Sequence, residues 1–209
     1  MKKNIYPGKF IVFEGIDGSG KSTQAKLLKK YFEGQGFLAT LTKEPTNDSS
    51  VSKKIRQILN KEVIAGAKEL QELFIQDRKE HLEKLIIPSL KEGKIVISDR
   101  YYFSTIAYGE SERVSKEWLI EKNKDFLAPD TTIIIDLDPK ICIERITANR
   151  SSIDLFEKIG KLEKVRDNYK DIAKKFQNIY IIDGNEEIER VHNEIKKIQN
   201  LTFNKVAKI

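Results

Sequence analysis

The 209-residue sequence predicts an α/β fold, in which helices cover both faces of a five-stranded parallel sheet. Five short apolar runs are rich in β-branched residues and lack strict alternation, which is typical of strands buried on both faces. Segments with the spacing of amphipathic helices lie between those runs. Because no linker, repeat or low-complexity tract divides the sequence, we expect a single domain over residues 1–209.

The predicted strands cover residues 10–13, 38–42, 95–97, 131–135 and 178–182. The predicted helices cover 21–32, 51–60, 67–90, 115–126, 140–148, 158–176 and 186–199. Within the long helix 67–90, we expect Pro88 to bend or end the helix and Gly93 to stop it. In a parallel sheet the ligand lies beyond the carboxyl ends of the strands, and polar residues follow four of the five runs.

The composition excludes several classes of protein. The single cysteine, Cys142, excludes an internal disulfide, and we expect it to pack in the core. No run of 18 apolar residues is present and the first residues do not form a signal peptide, so we expect a cytoplasmic protein with no membrane partner. The net charge of +6 suits nucleotides as well as nucleic acid, but no separate basic tail indicates a nucleic-acid partner.

The residues after the first predicted strand have the spacing of a phosphate-binding loop, G-x-x-x-x-G-K-[ST]. In such a loop successive backbone N–H groups point at a phosphate, and the following helix adds the positive end of its dipole. Lys21 would reach the β- and γ-phosphates of ATP, and the Ser22 hydroxyl would bind Mg²⁺. The alternative is a plain glycine turn before a helix. The predicted ATP-binding residues are Gly15, Ile16, Asp17, Gly18, Ser19, Gly20, Lys21, Ser22 and Thr23.

Asp17 is unusual inside such a loop, because a carboxylate beside bound phosphates is repelled unless it meets a cation or a hydroxyl donor. We expect it to contact a metal-bound water or a substrate hydroxyl. The alternative is an exposed aspartate in a turn.

Residues 95–100 form an apolar strand that ends in an acid, which is the Walker B arrangement and predicts Asp99 near the metal. Arg100 is placed to hold a second phosphate group bidentately. A structural ion pair at Asp99 is the alternative. The string Asn123-Lys124-Asp125-Phe126 departs from the guanine-binding motif of GTPases and follows no strand, so we expect no GTPase.

The sequence resembles the thymidylate kinase family over nearly its whole length. The matching strings are FEGIDGSGKSTQ (13–24), TKEP (42–45), LFIQDR (73–78), SDRYYFSTIAY (98–108), LAPDTTIIIDLDP (127–139) and EKVRDNY (163–169). This resemblance implies a three-layer α/β/α P-loop kinase fold with a short lid. It also implies that ATP and Mg²⁺ are used to convert dTMP to dTDP, usually by a homodimer.

The resemblance further implies a nucleoside pocket. Phe74 is similar to the aromatic residue that stacks on thymine, and Arg78 is similar to the donor to a base carbonyl; an i, i+4 pair shares one helix face. Thr105 would bond the base edge, Tyr108 would crowd the sugar 2′ position and exclude ribonucleotides, and Ser104 shares their helix. Spacing alone would also allow Phe74 to be a core residue and Tyr108 a packed surface aromatic.

Phosphoryl transfer needs cations that neutralise the transferred oxygens. In the family one of them comes from the phosphate loop or from the lid, and here the loop position holds Gly18. We therefore expect Arg150, in a lid at about residues 148–158, to supply it, with Arg145 as the second candidate. A solvated arginine with no catalytic part is the alternative for both. The expected catalytic residues are Asp17, Lys21, Arg100 and Arg150.

The sequence departs from the family pattern at four places. Lys43 replaces the arginine of the common string TREP, and Gly109 replaces a frequent glutamine. Leu155 stands where many relatives have a lid arginine, and residues 46–48 lack the usual glycine pair. Three other functions remain open from the sequence: another deoxynucleoside monophosphate kinase (for example a dUMP-preferring one), a nucleotide-binding regulator without catalysis, and nucleic-acid binding.

Overall fold

A computed structural model of the protein describes residues 1–146 and 152–204, apart from the side chains of 152–157 and 202–204. Its five strands form one parallel sheet in the order β2-β3-β1-β4-β5. The carboxyl ends of all five strands therefore lie at one edge, as the sequence predicts. The strands are β1 (Lys9–Glu14), β2 (Ala39–Lys43), β3 (Ile95–Asp99), β4 (Thr131–Asp136) and β5 (Ile179–Asp183).

The helices of the described chain are α1 (Lys21–Gly34), α2 (Ser50–Leu59), α3 (Ala67–His81), α4 (Ile87–Lys91), α5 (Tyr102–Ser111), α6 (Lys116–Asn123), α7 (Pro139–Ile146), α8 (Ser152–Lys175) and α9 (Ile188–Asn204). No helix within the described residues has both the length and the apolar character needed to cross a membrane.

Alternate residues of β1 point into two apolar cores, one on each face of the sheet. Phe10 and Val12 pack in a core that includes residues of α5 and α8. Ile11 and Phe13 pack in a second core, built from residues of α1 and α9. This confirms the three-layer α/β/α architecture. Cys142 is buried in the first core, where burial raises the pKa of its thiol to about 11.

The expected burial of strands on both faces is correct for β1, β3 and β4 and wrong for the two edge strands. The residues of β2 are half-buried or exposed, and Ile181 of β5 is 44% exposed. An edge strand has a neighbour on one side only, so its apolar run is covered less completely.

The predicted helix 67–90 does not end at Pro88, but its α-helical hydrogen bonding is interrupted just before this proline. A π-helical turn, Leu82–Ile86, joins α3 to α4, and the helical run ends at Lys91. Proline has no N–H for the bond to the preceding turn and its ring crowds that turn, which loosens the hydrogen-bond register there. Gly93, with φ of 77°, follows as the predicted stop. The first turns of α8 contain residues 152–158 of the expected lid, and 147–151 lie outside the described residues.

Candidate active site

The phosphate loop joins β1 to α1 and is held close to its neighbours. Gly18 has φ of 84°, and a Cβ there would lie 2.5 Å from the carbonyl oxygen of Cys142 on α7. A side chain at position 18 would therefore require the loop or α7 to shift from the positions that they have in this structure. Gly15 is constrained in the same way, because a Cβ there would lie 2.6 Å from the carbonyl oxygen of Ile135.

Lys21 is held beneath the loop. Its side chain is 5% exposed, and Nζ donates to the carbonyl oxygen of Ile16 at 2.8 Å. Burial, together with the nearby Arg100 guanidinium, lowers the pKa of Lys21 to about 8. The ammonium group thus lies in a low-dielectric position where a phosphate would be a strongly favourable partner.

Ser22 and Asp99 bring two oxygen ligands together at the carboxyl ends of the strands. The Ser22 hydroxyl donates to Asp99 Oδ2, and both residues line a cleft of about 780 Å³ that also contains the phosphate loop. The part of the chain that the structure describes has no cluster of three metal-ligating side chains. Mg²⁺ is usually held by one or two protein oxygens together with substrate phosphates and water, so this pair fits it.

Arg100 begins the segment between β3 and α5 in a left-handed backbone conformation, with φ of 76°. Its backbone N–H donates to the carbonyl oxygen of Phe13 at 2.8 Å, which fixes it against the end of β1. Its guanidinium donates to Asp17 Oδ1 at 2.6 Å, to Ser104 Oγ at 2.9 Å and to the Gly15 carbonyl oxygen at 3.2 Å. Arg100 is therefore positioned beside the phosphate loop by several independent contacts.

Asp17 accepts from Arg100 and also, through Oδ2, from the Tyr108 hydroxyl at 3.2 Å. Loss of water around the carboxyl favours its neutral form. The charges of Arg100 and Lys21 and the two hydrogen bonds outweigh this effect and hold the pKa of Asp17 below its ordinary value. The carboxylate is thus ionised and connects the phosphate loop to α5.

A second cavity, of about 260 Å³, adjoins the cleft. Its lining includes Asp17, Arg100 and all of the remaining predicted substrate residues: Phe74, Arg78, Ser104, Thr105 and Tyr108. Among the described residues, Phe74 is half-buried and belongs to neither apolar core, which favours a ligand-facing position over core packing. Tyr108 packs with its ring centroid 5.1 Å from the Arg100 guanidinium carbon. Burial raises the pKa of Tyr108 to about 12, so its hydroxyl stays protonated.

The thymidylate kinase family model matches residues 13–195. A probable thymidylate kinase of Thermococcus kodakarensis is 47% identical over 195 residues, which cover 89% of this chain and 94% of the relative. The chain belongs to the thymidylate kinase family. A thymidylate kinase of Leptospira borgpetersenii is 38% identical, covering 94% of this chain and 95% of the relative. The crystal structure of thymidylate kinase from Ehrlichia chaffeensis matches with a TM-score of 0.75 and 32% identity, covering 92% of this chain and 98% of that one. The predicted family, fold and enzyme class are confirmed.

Glu14 is a buried residue beside the site, and its contacts were not predicted from the sequence. It is fully buried at the end of β1, and Oε1 accepts from the backbone N–H groups of Tyr101 at 3.0 Å and Ser104 at 3.1 Å. Oε2 accepts from the hydroxyls of Ser104 at 2.5 Å and Tyr169 at 2.8 Å. Burial raises the pKa of Glu14. The sequence signal for this residue is an acid at the end of a buried strand. The hydrogen bonds of Glu14 hold the start of α5, including Ser104, next to the phosphate loop.

Arg78 forms several contacts within the protein in addition to its predicted role as a donor to the base. Both it and Glu44 are buried. Glu44 Oε2 accepts from Arg78 Nε at 2.9 Å and lies 2.8 Å from Nη2 as an ion pair. Nη2 also donates to Thr105 Oγ1 at 2.8 Å, and Nη1 donates to Asn123 Oδ1 at 2.7 Å. Asn123, from the discounted GTPase-like string, is thus a buried structural residue. Three of the five N–H groups of Arg78 form hydrogen bonds with described residues, and the second N–H of Nη1 has no hydrogen bond among those residues.

The segment after β2 is tied down by two residues that were not predicted. Asp77 accepts from the Thr46 backbone N–H at 2.8 Å and from the Thr46 hydroxyl at 2.6 Å. Arg56 donates to the carbonyl oxygens of Thr46 at 2.6 Å and Asn47 at 2.9 Å. These bonds order the segment without the usual glycine pair, and Asn47 lines the phosphate cleft with Lys43.

Of the two arginines predicted to neutralise the transferred phosphate, only Arg145 lies within the described residues. Arg145 is an exposed residue of α7 that lines the cleft together with the phosphate loop. Arg150, the first candidate, lies outside the described residues. A third arginine, Arg166 of α8, is engaged with Asp136, to which Nη2 donates at 2.9 Å.

Proposed function

We propose that this chain transfers the γ-phosphoryl group of ATP to dTMP, giving ADP and dTDP for dTTP synthesis. One observation carries the proposal: the phosphate cleft and the nucleoside pocket share Asp17 and Arg100 in their linings. A donor phosphate held by the loop and an acceptor phosphate held in the pocket would therefore meet at these two side chains. Membership of the thymidylate kinase family supports dTMP as the acceptor.

The donor side is formed by residues 15–23 and the metal pair. Lys21 would bond the β- and γ-phosphates of ATP, exchanging its contact with the Ile16 carbonyl oxygen for phosphate oxygens. Ser22 and Asp99 would hold Mg²⁺, which when bound offsets charge on the phosphate oxygens. Arg145 or Arg150 would add the cation that Gly18 does not supply, and both remain candidates.

The acceptor side is arranged around Arg100, which would hold the dTMP phosphate. The contacts of its guanidinium with Asp17 and Ser104 keep it oriented before the nucleotide arrives. Asp17 would position the acceptor sugar or a metal-bound water. This fixed arrangement supplies alignment and charge stabilisation, and the proposed transfer is direct, with no covalent protein intermediate.

The nucleoside would lie between α3 and α5. Phe74 would stack on thymine, Thr105 and the second Nη1 N–H of Arg78 would face the base edge, and Tyr108 would exclude a 2′-hydroxyl. Thr105 Oγ1 accepts from Arg78, so its own hydroxyl hydrogen is available as a donor to the base.

We also propose that the protein works as a homodimer in the cytoplasm. The dimer is implied by the family resemblance, and the reducing compartment suits a chain whose single cysteine, Cys142, is buried. Sedimentation equilibrium of the purified protein tests the dimer, and a monomer at micromolar concentration would contradict it.

A panel of acceptors in a coupled assay with ATP and Mg²⁺ tests the proposed reaction. We expect dTMP to give a higher kcat/KM than dUMP, dGMP or AMP. A preference for dUMP would establish the alternative kinase, and binding of ATP without any transfer would establish the regulator. Both alternatives are less well supported, because the chain combines family membership with a complete set of Lys21, Ser22, Asp99 and Arg100.

A further inference from the structure

Gln71 lines the nucleoside pocket with an amide oxygen that no described donor satisfies. It lies on α3, three residues before Phe74 and seven before Arg78, so helical spacing places the three side chains on one face. The residue is 2% exposed and contributes to the cavity lining, and its Oε1 has no hydrogen-bond partner in the described chain. A buried carbonyl oxygen without a donor is unfavourable and uncommon, so such a group at a cavity wall points to a ligand.

Gly109 on α5 provides the space in which the Gln71 side chain runs. A Cβ on Gly109 would lie 3.2 Å from Gln71 Cγ and 2.9 Å from both terminal carbons of Leu119. A side chain at position 109 would therefore compete with Gln71 for the same space. Gly109, which departs from the family pattern, thus leaves room for the Gln71 side chain of the facing helix α3.

The other acceptors that line the pocket are already engaged: the Asp17 carboxylate pairs with Arg100, and the Glu112 carboxylate pairs with Lys161. Arg78 donates only, and the Thr105 hydroxyl already accepts from it. The Glu44 carboxylate is engaged by Arg78 and His81. Tyr101 lines the same cavity with a hydroxyl that has no partner among the described residues and can act as either donor or acceptor. An amide oxygen can only accept, so Gln71 is the group that needs a donor from the ligand.

The edge of a thymine ring presents a carbonyl, then the N3–H donor, then a second carbonyl. Donors from Arg78 and Thr105 match the carbonyls, and the remaining requirement is one acceptor for N3–H. We propose that the Gln71 amide oxygen accepts this hydrogen bond and makes Gln71 a specificity-determining residue for the base. Cytosine carries an acceptor at N3 and would face the oxygen unfavourably, whereas uracil has the same N3–H as thymine. The inference rests on the proposed transfer to dTMP.

The test compares wild type with Gln71→Leu, which keeps the size and removes the acceptor. Gln76→Leu is the matched control, because Gln76 is an exposed glutamine on the same helix. For Gln71→Leu we expect the KM for dTMP to rise about tenfold, as for the loss of one buried hydrogen bond, with kcat and the KM for ATP within about twofold of wild type. Its melting temperature without nucleotide should equal or exceed that of wild type, because an unpaired polar group has been replaced by an apolar one. An unchanged KM for dTMP would overturn the proposal.

N3-methyl-dTMP gives a second test that does not depend on a variant, should Gln71→Leu fail to fold. Wild type should use dTMP at least about tenfold better than N3-methyl-dTMP, and equal use would overturn the proposal. If wild type shows no turnover of dTMP, the proposed function fails. The inference is then tested separately by titrating dTMP into wild type and Gln71→Leu in a calorimeter. Equal affinities would contradict it, and weaker binding by the variant would support it.

Discussion

Replacing Glu44 by glutamine would leave the Arg78 guanidinium charged in the interior without its carboxylate. The two side chains are 3% and 1% exposed, so little solvent can replace the lost partner. Removing one member of a buried ion pair costs about 3–5 kcal/mol of unfolding free energy. A loss of 1 kcal/mol lowers the melting temperature of a domain of this length by about 2–4 °C, so we expect Glu44→Gln to melt about 6–20 °C below wild type.

The double variant Glu44→Gln/Arg78→Met measures the interaction free energy between Glu44 and Arg78. Arg78→Met removes the same pair from the other side, and Glu44 then keeps its contact with His81 Nδ1 at 3.1 Å. The double variant buries neither a lone cation nor a lone carboxylate. Its loss of unfolding free energy should therefore be smaller than the sum of the single losses by about 2 kcal/mol.

Urea unfolding of wild type, the two single variants and the double variant, without nucleotides, provides the four free energies. Lys79→Met, at an exposed position of the same helix, is the control for the loss of a cation and should change the stability little. Single losses that add up to the double loss within about 0.5 kcal/mol would show that Glu44 and Arg78 are not coupled, because independent sites add in this way.

Three further predictions concern the catalytic groups. Arg100→Ala should lower kcat/KM for dTMP about 10²–10³-fold with little change in ATP affinity measured by calorimetry, and retained activity would remove Arg100 from its role. Burial lowers the pKa of Lys21 to about 8, so its positive charge is present below that pH and lost above it. We therefore expect kcat/KM for ATP to fall as the pH rises through 8. A flat profile from pH 7 to 10 would contradict this. Tyr108→Ala should improve use of the ribonucleotide of thymine relative to dTMP in the coupled assay, and an unchanged ratio would remove Tyr108 from the sugar pocket.

The features that the sequence predicted well are those with a local pattern. The central strands and the phosphate loop are encoded in contiguous residues: β1, for example, is an apolar run followed directly by the Gly15–Gly20–Lys21 spacing. The positions of Phe74 and Tyr108 in one cavity came from the resemblance, since spacing alone left core packing open for both.

The features that were missed depend on pairs of residues far apart in the chain. Glu44 and Arg78 are separated by 34 positions and Arg78 and Asn123 by 45, and no local pattern connects them. Glu14 contacts Tyr169 across 155 positions, so its orienting role follows only from the packing of α8 on α5. The π-helical turn before Pro88 was also missed, because the sequence shows the proline but not whether the surrounding packing keeps the helix continuous.

We propose that the phosphate cleft and the nucleoside pocket are two halves of one active site, because Asp17 and Arg100 line both. The most direct test uses a single molecule in which adenosine and thymidine are joined through their 5′ positions by a chain of phosphates. We expect this molecule to compete with both ATP and dTMP in steady-state kinetics. It should bind more tightly than either nucleotide, because the second half binds without a further loss of translational freedom. Competition with only one of the two nucleotides, or binding no tighter than that of ATP alone, would show that the two cavities do not form one active site.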